Sequence, residues 1–208
     1  MSLLELIVRA DERGLAASGV ACLDRCLPLL ADEGEVLRPL WASVADGEQN
    51  WAPRLEAARE AMETAAVIHD ETAVLVRKML AAAPSDWAAE PLRVWADGCS
   101  VAALEIHQQF DAAGDRIMGA PGTVADGTYT GWVERCRTGV ADGPEGHPGV
   151  GPFTAGPMVS GELRRQIQIL EILAETDGAA GLRQALDLST EGRRVLRAVV
   201  SRRARARN

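Results

Sequence analysis

Residues 51–83, WAPRLEAAREAMETAAVIHDETAVLVRKMLAAA, carry the pattern that decides the fold class. Leu55, Ala58, Met62, Ala65, His69, Ala73, Val76 and Leu80 recur at steps of three and four, the apolar stripe of a helix face. Glu56, Glu60, Asp70 and Glu71 keep the other side wet, and nothing between Leu55 and Leu80 breaks the periodicity. The spacing predicts one long helix, with Asn50 as its cap and Pro84-Ser85-Asp86 as the closing turn.

On the N-terminal side, Ser2 and Glu5 form a capping-box pattern that opens a short helix, with Gly14 as its expected break. A second helix is expected over 18–33, ended by Gly34 and kinked at Pro28, and a third over 35–44, stopped at Asp46-Gly47. On the C-terminal side, a short segment at 91–96 should end at Asp97-Gly98. Ser100 should then cap a helix to residue 118 that carries His107 and Phe110 on its stripe. Residues 119–161 hold 11 of the 20 Gly and five of the 10 Pro, so an irregular segment is expected, with at most a helical turn or two at 129–137. Helix returns at Ser160, with Leu163, Ile167, Leu170 and Leu173 in register to Gly178, and a final pair follows over 179–188 and from Ser189 onward. No strand-like alternation survives.

The fold class is therefore all-α: an irregular helical bundle of one domain over 1–208. It divides into a helical core at 1–118, the Gly/Pro-rich segment at 119–161, and C-terminal helices with a basic tail at 162–208. Aromatics are only 4% of the chain, which suits a core of Leu, Val, Ile, Ala and Met packed between helices. The recurring Ala-Asp-Gly triplets are irregularly spaced and read as turns, not as a helical repeat.

Charge narrows the partners. Of the 22 basic residues 21 are Arg, which with the heavy use of Ala and Gly reads as the imprint of a GC-rich bacterial genome. Residues 193–208 hold seven Arg and no acid; the preceding body has 15 basic and 30 acidic residues, a net of −15. Such a body repels nucleic acid and anionic membrane over most of its surface. Four scattered cysteines make no disulfide framework. The opening MSLLELIVRADERG lacks the basic region of a signal peptide, and no apolar run reaches membrane-spanning length, so a cytoplasmic protein is expected.

Chemistry is sparse. His69 and His107 both lie on apolar stripes, and if their helices pack together the two imidazoles meet inside the bundle with Asp70, Glu105 and Asp111 nearby. The Glu-x-x-His unit of bundle metal sites is absent, so no metal and no cofactor is expected. Cys22 and Cys26, four apart on a helix, read as small packed hydrophobes. The serine-nucleophile elbow, the P-loop and the dinucleotide fingerprint are all missing. In the Gly/Pro-rich segment, Tyr129, Trp132, His147 and Phe153 are candidate binding residues, because aromatics on an adaptable loop suit a recognition surface.

Residues 65–72, AAVIHDET, resemble the phosphoacceptor box of one class of two-component sensor kinases. The resemblance implies His69 as phosphoacceptor and Asp70 as its base. It covers this short stretch only, the basic run that precedes the box in that class is missing, and no ATP-binding domain follows. The residues themselves favour a non-catalytic helical interaction or regulatory protein, acting on a protein partner or associating with itself as a homodimer. The alternative is a small helical enzyme or phosphotransfer module that uses His69, Asp70 and His107.

Overall fold

The computed structural model describes residues 1–30, 36–64, 71–117, 126–139, 155–176 and 178–206. Among these there are nine α-helices and no strand: α1 Leu3–Arg9, α2 Glu12–Cys26, α3 Arg38–Asp46, α4 Trp51–Thr64, α5 Glu71–Ala81, α6 Ala89–Ile117, α7 Asp126–Thr138, α8 Pro157–Glu175 and α9 Gly178–Ala206. The all-α class read from the sequence is the class observed.

Helix α2 is the axis of the fold. From Gly14 to Cys26 every residue is buried, the condition of a helix enclosed by neighbours. Its small residues let those neighbours close in. A methyl group at Gly19 would stand 2.5 Å from the Trp95 ring of α6, and one at Gly192 of α9 would stand 2.5 Å from Arg25 Cδ. Helices α6, α8 and α9 pack around this axis. A second layer, α3 to α5, is joined to it by Trp51, whose ring meets Trp87 and Trp95 edge-on at 5.3 and 5.8 Å. Buried indoles need a partner for their N–H: Trp51 Nε1 donates to the Pro84 carbonyl at 2.7 Å, and Trp95 Nε1 to the Met79 carbonyl at 2.8 Å.

Several boundaries hold. Both bonds of the Ser2–Glu5 capping box are made. Pro28 ends the α-helix in a 3-10 turn, Leu27–Leu29, and Gly47 stops α3 at φ 78°. Others are corrected. Gly14 does not end α1. That helix stops at Arg9, and Asp11 caps α2 by accepting from Gly14 N at 2.7 Å. The single helix expected over 51–83 is two. Arg59 Nη2 donates to the Ala81 carbonyl at 3.0 Å, whereas 22 residues of continuous helix would put them about 33 Å apart. So α4 and α5 fold back on each other, with the link at 65–70 outside the described residues.

The opposite error occurs at Asp97-Gly98, where α6 runs straight through for 29 residues. A mid-helix Gly costs about 1 kcal/mol, and burial of Leu92, Trp95, Ala96 and Cys99 offsets that. Likewise the expected final pair of helices is one, α9, and the C-terminal hairpin is formed by α8 and α9. Within 119–161, α7 runs for 13 residues, longer than the turn or two expected; residues 119–125 and 140–154 lie outside the described residues. Gly156, at the N-cap of α8, has no side chain to cap with. Asp111 of α6 does so instead, accepting from Met158 N and Val159 N at 3.0 Å each.

Candidate functional site

Four helices deliver polar side chains to one sealed cluster beside α2. Arg25 comes from α2, Glu162 and Gln166 from α8, Ser100 and His107 from α6, and Ser189 from α9; all are buried. Arg25 grips Glu162 with two prongs, Nε to Oε2 at 2.8 Å and Nη2 to Oε1 at 2.6 Å, and neither side chain touches solvent. Its remaining donors reach Ser189 Oγ at 3.5 Å and Cys22 Sγ at 3.4 Å. Gln166 Nε2 donates to Glu162 Oε1 at 2.9 Å, while its own carbonyl accepts from Ser100 Oγ at 2.6 Å. His107 Nδ1 lies 2.7 Å from the Ala103 carbonyl, an acceptor only, so Nδ1 carries a proton. Its Nε2 faces Glu162 Oε2 at 3.7 Å.

The electrostatics follow from this arrangement. Burial alone would raise the Glu162 pKa, but the Arg25 guanidinium, His107 and the hydrogen bonds of Arg25 and Gln166 outweigh it and hold the carboxyl down at about 2. Burial would likewise weaken the Arg25 charge; Glu162 overrides it and pushes the guanidinium pKa up. Burial drives the Cys22 thiol up to about 12 despite the opposing effect of Arg25, and drives Cys26 and Cys99 well above the ordinary thiol range. These are protonated, packed thiols and not nucleophiles.

Such a cluster does more for architecture than for catalysis. Its imidazole and carboxylate have no solvent access, with His107 only 2% exposed and Glu162 0%. Among the described residues no group of three or more His, Cys, Asp or Glu side chains is placed to hold a metal ion. Of the candidate site residues read from sequence, only His107 takes part; Cys22, read as a packed hydrophobe, accepts from Arg25, and Ser100, read as a helix cap, lies inside α6 and donates to Gln166. His69, Asp70, His147 and Phe153 lie outside the described residues, as do the side chains of Tyr129 and Trp132, whose backbone belongs to α7. Sequence reasoning missed Arg25, Glu162 and Gln166. A signal existed: Val159, Glu162, Gln166 and Ile169 form a buried stripe at steps of three and four, with two polar residues in its middle.

The surface holds a different feature. Between α5 and α6 runs a groove of about 550 Å³. Met79, Trp95 and Cys99 form its buried floor, and Leu75 and Val94 stand on its walls, Val94 being 66% exposed. Lys78 and Glu90 supply the charges along it. Gly98, the residue expected to end a helix, lines the groove and leaves its wall open: a Cβ there would meet nothing. No described helix is long and apolar enough to cross a membrane. In comparisons with known proteins, the chain matches no family model, no curated protein and no solved structure.

Proposed function

We propose that this chain is a non-catalytic helical interaction protein that binds a partner protein through the groove between α5 and α6. The observation that carries the reading is the groove's combination of an apolar floor containing Met79 and Trp95 with an exposed Val94 at its wall. An amphipathic helix that lays apolar anchors into a groove is a common recognition mode, and methionine adapts to the shape of such anchors. Lys78 and Glu90 supply opposite charges that would orient the guest. The sealing of the Arg25–Glu162–His107 cluster favours this reading over a small enzyme or phosphotransfer module built on His107.

The test is a photo-crosslinking residue introduced at Val94, with the adducts from the native host identified by mass spectrometry. One defined partner should be captured and then lost from V94E, whose melting temperature should stay close to that of the parent because Val94 is exposed. No discrete adduct, or binding of the captured protein that V94E leaves unchanged, overturns the groove as the binding surface.

A further inference from the structure

The outer face of α9 carries opposite charge towards its two ends. In its first half Gln184, Asp187 and Glu191 point outward; in its second half Arg202 and Arg205 do; all are exposed. Between them Arg194, Val195 and Ala198 continue the same exposed stripe at steps of three and four. The opposite face of the helix, through Leu182, Ala185, Ser189, Gly192 and Leu196, is buried against the bundle. Beside the acidic half lies a second groove of about 500 Å³ between α8 and α9, where Glu171 and Glu175 join Asp187 and Glu191. Arg165 approaches Glu191 at 3.6 Å, and among the described residues no ion pair joins Glu171, Glu175 or Asp187 to a cation.

We propose that two copies of this chain associate through α9, antiparallel, about a two-fold axis between residues 194 and 195. In that arrangement Asp187 faces Arg202 of the second copy, Gln184 faces Arg205, and Glu191 faces Ala198 with Arg194 and Arg202 on either side. Every contact occurs twice, as a two-fold interface requires. The axis places Val195, 37% exposed, and the small Ala198 where the helices come closest. Arg202 and Arg205 of the second copy then reach over the carboxylates of the α8–α9 groove. The opposite alignment, parallel and in register, stacks arginine on arginine and acid on acid. The contact runs about 32 Å along the helix, a modest area held together largely by exposed charge, so the dimer is reversible and weakened by salt. This interface is separate from the α5–α6 groove and does not depend on it.

Sedimentation velocity on the purified chain tests the idea. A species of about twice the 22.2 kDa chain mass should dominate in buffer of ~20 mM ionic strength and give way to monomer at ~0.5 M. D187R and R202D should each be monomeric under the low-salt condition. Mixing the two single variants should restore the dimer. The D187R chain presents arginine at both positions and the R202D chain a carboxylate at both, so the two cross-pairings are attractive. The double variant D187R/R202D should dimerise by itself. A wild-type chain that is monomeric at both salt concentrations overturns the proposal. A dimer that survives either single reversal, or single variants that fail to re-associate on mixing, overturns it too. Circular dichroism establishes that each variant is folded, which the exposure of both residues leads one to expect.

Discussion

The same chemical pair, an arginine and an acid, occurs in two regions of this molecule to opposite effect. Beside α2, Arg25 and Glu162 are locked together out of water, with Ser189 hydrogen-bonded to the first and Gln166 to the second. On the outside of α9, Asp187 and Arg202 lie 15 residues apart on one stripe, both exposed to solvent. Burial turns the first pair into a fixed point of the fold, because separating or losing either charge leaves the other stranded in a medium of low dielectric. Hydration leaves the second pair nearly neutral for the fold and available for association.

The most forceful way to break this contrast is E162Q, which leaves Arg25 buried without its counter-charge. A loss of about 3–5 kcal/mol is expected in denaturant unfolding. Replacing both partners by apolar residues, as in R25M/E162L, should recover most or all of that loss, since the pair specifies the arrangement more than it stabilises it.

Acid sharpens the same point. The Glu162 carboxyl titrates at about 2 in the folded chain against 4.5 in the unfolded one. Because the folded pKa is the lower of the two, the unfolded chain takes up the proton first. The contribution is complete above about pH 4.5 and disappears as pH falls toward 2. The stability advantage of the parent over E162Q should therefore be flat above that range and shrink below it by an amount on the order of 3 kcal/mol.

Intermediate between the two regions is Asp111, half-buried and capping α8 from α6. D111A should cost about 1 kcal/mol and raise amide exchange in the first turn of α8. Smallest of all, D187R and R202D should change the unfolding free energy of the monomer by less than about 0.5 kcal/mol, while altering association completely.

How much of this was legible beforehand differs from element to element. The Ser2–Glu5 box, the Pro28 break and the Gly47 stop are local events: a few neighbouring side chains and one backbone conformation settle them, and all three were readable. Asp97-Gly98 and the 51–83 stripe were misread for a shared reason. Periodicity reports which face is apolar but not whether a chain continues or doubles back, and a helix packed on both sides tolerates a Gly that would end it in water. The candidate site fared worse. Arg25, Glu162 and Gln166 look like surface residues by type, and only the company of Val159 and Ile169 marks the latter two as interior.

Sequence by itself determined the helical class, the Ser2–Glu5 cap, the excess of acid over base in the body and the Arg-rich end, because these depend on composition and on neighbours three or four residues away. Tertiary structure alone decided that α4 and α5 reverse, that Arg25 meets Glu162 across 137 residues, and that the acidic and basic halves of α9 share one outward face. The physical reason is common to all three. Burial is set by which helices surround a residue, and whether a charge is a fixed point of the fold or a surface for another molecule depends on the water left around it.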